Sequence, residues 1–383
     1  MVLPEVLIAY SITEVGMSIR FLVLNIAVLA LLACVSGCQS GSMDPGLSPA
    51  GDDICYTKWS NGHWQIFTNN ALGTMPVNIP SWEGDDEYPK WSPNGRYIVF
   101  QRRVPIYGPL VCVYDLTMKT YANLTADGGL SSAHPTWTPT GKVVCAYQCP
   151  VGSPVATYLM DPDGSNKRKI LDAAASTVYM YPNGYTFLYE VYNRIYKTHM
   201  DQTATELVFD EATSRDQFVA VQGLNANSEE ILIIFHPRKD STDAIGTYSI
   251  RSRTVRVLLT SESGYEFFQL VYAPDCSAIA LIEHSDDREY LSVLQGGVKR
   301  RLVHIPGTIT TVGECFSFNP MRFSPDGNYI AYSKMVFGSG QWINWKDVLF
   351  VVPVSLGEEI RIDDGNQPSW NSRMSSINNR SII

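Results

Sequence analysis

Beyond residue 52 the chain is a succession of short, nearly continuous apolar runs separated by clusters of turn residues. Clear examples are YIVF at 97–100, LVCVYDL at 110–116, VATYLMD at 155–161, YIAY at 329–332 and VLFVVPV at 348–354. An unbroken apolar run this short predicts a strand covered on both faces, rather than one alternating between core and water. The runs that close each group are more polar, as expected of an outer strand facing solvent.

One pattern introduces several of these runs. Trp91-Ser92-Pro93-Asn94-Gly95 precedes YIVF, Trp137-Thr138-Pro139-Thr140-Gly141 precedes VVCA, and Phe323-Ser324-Pro325-Asp326-Gly327 precedes YIAY. Weaker copies begin at Tyr181, Leu224 and Ala273, so successive starts lie 43–50 residues apart. Pro fixes φ at the first turn position, Asn or Asp tolerates the turn, and Gly supplies the positive φ of the exit. The spacing is that of a four-stranded propeller blade.

The two ends of this region complement each other. Pro368-Ser369-Trp370-Asn371 begins another copy with no apolar strand after it, while 54–59 and 63–67 read as second and third strands lacking a first. The expectation is an all-β propeller over 53–371, closed by the C-terminal segment pairing beside the N-terminal strand. Seven blades is the simplest count, and six follows if a weak copy is not a unit. Closure removes the sheet edges that an open array would expose.

The repeat resembles the WD40-like repeat in the propeller of the periplasmic protein TolB and its relatives, with Pro-x-Trp-Ser-Pro-Asp-Gly followed by Tyr-Ile-Ala-Phe. Pro89 to Phe100, Pro135 to Ala146 and Pro320 to Tyr332 carry the likeness. TolB has a separate α/β domain before its propeller and no lipid anchor, so its role is not carried over. The resemblance extends to prolyl oligopeptidases, but no Gly-x-Ser-x-Gly elbow occurs. It extends also to oligogalacturonate lyases, which imply a metal ion and His ligands.

Ahead of the repeats, Phe21 to Val35 forms one apolar stretch preceded by Arg20 and followed by Ser36-Gly37-Cys38. That is the layout of a secretory signal, too short for a membrane span. Small residues before Cys38 resemble the lipobox of bacterial lipoproteins, which implies cleavage after residue 37 and lipidation of Cys38. Met17 fits as the true start, because residues 1–16 hold Glu5 and Glu14 but no cation. Gln39 rather than Asp after the lipid site implies the outer membrane, facing the periplasm. Residues 39–52, rich in Ser, Gly and Pro, read as a flexible tether, and 372–383 as a tail.

The net charge of −9 argues against nucleic acid as a partner, and Lys167-Arg168-Lys169 reads as a solvated turn edge. Six Cys remain after residue 38, mostly in apolar runs, where they are expected as buried thiols. No His pair has metal-ligand spacing, and no cofactor is expected. Positions just before the repeat motif should line the channel mouth: Asp86, Glu87 and Tyr88 with Trp82 beside them, His134, Asn319 and Gln367. An acidic, aromatic rim there would suit a protein or peptide partner, and the sequence favours a non-enzymatic scaffold. The alternative is a carbohydrate-binding or lyase-like propeller centred on His134.

Overall fold

The computed structural model describes residues 53–81, 84–105, 108–127, 135–175, 177–191, 194–210, 217–225, 229–236, 242–285, 288–306, 314–316, 321–337 and 345–372. The signal segment, Cys38, the tether, Trp82, His134, Asn319 and residues 373–383 lie outside the described residues. The described residues form strands and turns only, arranged as seven antiparallel sheets in a ring.

Blade 1 is the shared blade expected from the ends of the repeat region. Its inner strand, Asn366–Trp370, pairs antiparallel with Ile54–Ser60, placing Ile54 opposite Trp370, Cys55 opposite Ser369 and Thr57 opposite Asn366. Blades 2 to 7 then follow in chain order. Their inner strands are Asp85–Trp91, Thr136–Trp137, Thr177–Met180, Gln217–Asn225, Glu266–Tyr272 and, in blade 7, Glu314–Phe316 with Arg322–Phe323. All three weak copies begin real blades, which settles the count at seven.

The apolar second strands explain why the ring holds. Ile98, Val99 and Phe100 are all fully buried. Ile98 and Phe100 pack into a cluster with Cys55 and Ile66 of blade 1, whereas Val99 packs with Val143 and Tyr158 of blade 3. Alternate residues of one strand therefore serve opposite interfaces. Blade 5 repeats this, Ile231 and Ile233 facing blade 4 while Leu232 and Ile234 face blade 6.

The repeat motif performs the same work wherever it is intact. The Ser92 amide donates to the Tyr97 carbonyl, Gly95 closes the turn onto Ser92, and the Ser92 hydroxyl accepts from the Tyr97 amide at 2.9 Å. Ser324 does the same for Gly327 and Tyr329. The motif's aromatic residue ties blades together: the Trp137 indole donates to the Lys90 carbonyl of blade 2 at 2.9 Å, and the Trp370 indole to the Arg322 carbonyl of blade 7 at 3.0 Å. Closure of blade 1 is tight at Gly365, where a Cβ would sit 2.6 Å from the Thr57 carbonyl oxygen.

Cys55, Cys112 and Cys145 are buried free thiols, and Cys149 and Cys276 are half-buried free thiols. Burial pushes the Cys112 and Cys145 thiols up to about 12.

The degenerate copy at Ala273 carries a cost. Cys276 occupies the turn position that Gly95 and Gly327 fill elsewhere, and it adopts φ 60°. A side chain there is strained, so Cys276→Gly is expected to stabilise the protein by about 0.5–1 kcal/mol, read as a higher urea midpoint.

Candidate functional site

Inner strands touch where blades 1 and 2, 2 and 3, 5 and 6, 6 and 7, and 7 and 1 adjoin, and so line the centre of the ring. Their starting ends were expected to present an acidic rim, and here the structure corrects the sequence. Asp85, Asp86 and Glu87 belong to a strand, not a loop, and lie opposite Arg103, Arg102 and Gln101 respectively. The Asp86 carboxylate receives the Arg102 guanidinium at 2.7 and 2.8 Å, both side chains being 2% exposed, and also accepts from the Ser81 hydroxyl at 2.7 Å. The Arg102 guanidinium lies over both the Phe100 and the Tyr121 rings, at 5.3 and 5.2 Å from their centres. Asp86 is thus an internal counter-ion, not a rim group.

Its neighbours are also engaged. Asp85 accepts from the Trp64 amide at 2.8 Å. Glu87 pairs with Arg103 at 2.9 Å, but burial raises its pKa, the nearby Arg103 charge works against the shift and Asp85 adds to it. The adjacent acids Asp363 and Asp364 have separate partners: Asp363 holds Lys58 and the Tyr56 hydroxyl, Asp364 holds Lys346.

Tyr88 and Gln367 are brought together, in a structural role. Each lies at an irregularity in its strand pairing, with φ 57° and 55°. The Gln367 amide oxygen accepts from the Tyr88 amide at 2.7 Å and from the Thr57 hydroxyl at 3.0 Å, tying blade 1 to blade 2. Two further junctions use the same device. Gln222 accepts from the Leu270 amide and Gln269 from the Met321 amide.

What the sequence reading missed is a pair of cations deeper in the ring. Lys90 and Arg322, each half-buried, occupy the position just before the motif in blades 2 and 7. Burial lowers the Lys90 pKa to about 8, and the Arg322 charge pushes in the same direction. Arg322 is itself lowered by burial, an effect opposed by Tyr179 of blade 4, whose hydroxyl burial raises to about 12. Reading the residue before each motif copy as one column would have exposed these cations. Among the described residues no three His, Cys, Asp or Glu side chains converge.

At the mouth end, the hairpin joining Ile54–Ser60 to His63–Asn69 carries Trp59, 56% exposed, edge-on to Trp64 at 5.5 Å between ring centres.

Removing one member of the buried pair strands the other charge. Asp86→Asn should therefore cost about 3–5 kcal/mol, whereas Asp86→Leu with Arg102→Met should recover most of it, as measured by urea unfolding. Lys90 behaves in the opposite sense. Its folded pKa lies below its unfolded value, so its charge opposes folding fully below about pH 8, and less as pH rises from there towards 10.5. Lys90→Met should raise Tm at pH 7, with the gain over the parent shrinking across that interval.

No protein-family model matches the chain, and no curated protein does. Solved structures show distant likeness. An oligogalacturonate lyase in complex with manganese matches 80% of this chain and 87% of its own, at 13% identity and a TM-score of 0.59. A puromycin-hydrolyzing peptidase from Mycobacterium tuberculosis matches 83% of this chain at 14% identity and TM-score 0.58, the match covering 52% of the peptidase. TolB from Acinetobacter baumannii matches 85% of this chain and 68% of its own, at 14% identity and TM-score 0.48. At such identities the likeness is one of fold, and a lyase and a peptidase both share it. By its ring of seven antiparallel sheets, the chain is a seven-bladed β-propeller.

Proposed function

We propose that the protein is a lipid-anchored component of a bacterial cell envelope, tethered through Cys38 to the outer membrane and facing the periplasm. Its propeller acts there as a non-enzymatic scaffold that captures a protein or peptide at the channel mouth. The anchor rests on the apolar segment ending in Ser36-Gly37-Cys38.

The observation that carries the binding reading is the Trp59–Trp64 pair. Large amphipathic aromatics exposed on a rigid hairpin are the residues that dominate protein interfaces. This pair is held against the start of the blade 2 inner strand by the Trp64 amide bond to Asp85. Strand pairing in blade 1 and the Gln367 tie fix the surrounding rim before any partner arrives. A pre-organised rim loses little conformational entropy on binding.

Two measurements test this. Cys38→Ser should shift the protein from the membrane fraction to the soluble envelope fraction. With the full-length protein as bait for an envelope extract of its own host, a specific protein should be captured. Its recovery should fall at least tenfold when Trp59 and Trp64 are both replaced by Ala. Retention of a polysaccharide that shortens during incubation would sink the scaffold reading.

A further inference from the structure

The inner-strand residue one place before the position of Trp91 and Phe323 forms a column around the ring: Ser369, Lys90, Thr136, Tyr179, Gly223, Val271 and Arg322. All seven lie on inner strands and all seven are half-buried. In blades 1, 2 and 7 the flanking residues are buried, as with Pro89 and Trp91 around Lys90, and Met321 and Phe323 around Arg322. The column holds two cations and no carboxylate, in a chain whose net charge is −9.

Lys90, Arg322 and Tyr179 come from blades 2, 7 and 4, yet the Arg322 charge acts on both of the others. Holding one position on the inner strands of three separate blades, they lie around the middle of the ring. Among the described residues no carboxylate pairs with either cation. The Arg322 guanidinium makes one hydrogen bond, to the Met321 carbonyl at 2.9 Å. Elsewhere buried cations have partners, as Arg102 has Asp86 and Lys334 has Glu359. Two like charges brought together under burial destabilise a fold, and an anion between them removes that cost. The column has the hydroxyl of Thr136 and that of Ser369, which already accepts from the Trp91 amide at 3.2 Å, and no carboxylate or side-chain amide to accept from sugar hydroxyls. Its remaining residues are Tyr179, Val271 and Gly223, which suit a peptide better than a polyhydroxylated chain.

We propose that the central channel is a carboxylate-binding site in which Lys90 and Arg322 hold an acidic group of a bound peptide segment. This deepens the peptide-binding reading and rests on it. The carboxylate comes either from an Asp or Glu side chain or from a peptide's C-terminus, and the test separates the two.

The full-length protein in detergent micelles is titrated with three labelled hexapeptides, followed by fluorescence anisotropy. One is glutamate-rich with an amidated end, one is its glutamine counterpart, and one is neutral with a free C-terminal carboxylate. Binding of the glutamate peptide should weaken at least tenfold in Lys90→Met and in Arg322→Met, recover partly in Arg322→Lys, and stay unchanged in Lys346→Met on the outside. The glutamine peptide should bind no better than a variant carrying both Lys90→Met and Arg322→Met binds the acidic one. Equal binding by the neutral, free-ended peptide would assign the carboxylate to the chain end.

A readout on the unaltered protein guards against misfolded variants. The glutamate peptide should protect Lys90 from acetylation, measured by mass spectrometry. Equal binding of the acid and amide peptides, or no protection of Lys90, would overturn the proposal, as would preferential binding of oligogalacturonate. If host protein capture persists through Trp59 and Trp64 while the acidic peptide fails to bind, the channel site falls and the scaffold reading stands.

Discussion

Every other feature of this protein depends on the burial of both faces of each blade. Strands such as 97–100 and 231–235 are apolar on both sides, so a blade with only one neighbour would leave an apolar face in water. Burial of apolar area is worth about 25 cal/mol per Å², and a strand of large aliphatic residues represents several kcal/mol. No end blade can be satisfied in an open row, and the ring is the solution that gives each blade two neighbours. The channel, its mouth and the order of residues around it follow from that requirement.

The turn chemistry made most of this fold legible before any coordinates. The Ser-Pro-Asn/Asp-Gly turn has one geometry, and its recurrence marks where each second strand begins. Blade 1 was legible because two incomplete halves need each other. The site was less so. Asp85, Asp86 and Glu87 look like solvated acids in sequence, and the cations that neutralise Asp86 and Glu87 stand at 102 and 103, beyond a turn and an apolar run. Only strand register reveals that they face each other. Gln367 was placed at the right spot but given the wrong task, since an amide at a strand irregularity can satisfy a neighbouring backbone group as readily as a ligand. His134, Asn319 and Trp82 lie outside the described residues.

The distribution of charge runs counter to the composition. The acidic groups that give the chain its net charge of −9 sit largely in cross-strand pairs, as in Glu283 with Lys299 or Asp115 with Arg96. The centre of the ring instead carries Lys90 and Arg322. A fold optimised only for stability would not place two like charges where water is scarce. Such an arrangement is what is expected where a structure has kept a function at the expense of stability.

Blade 1 also sets a timetable for folding. Its inner strand, Asn366–Trp370, is the last to leave the ribosome, and its partner, Ile54–Ser60, is the first. Until the last strand arrives, blade 1 keeps an open edge and blades 1 and 7 each lack a neighbour. Any nascent or truncated chain ending before residue 366 therefore presents both an unpaired strand and an uncovered apolar sheet, the two features that most readily draw in other chains. Contacts spanning more than three hundred residues make closure the slow step, so the period before closure is when this protein most needs a chaperone.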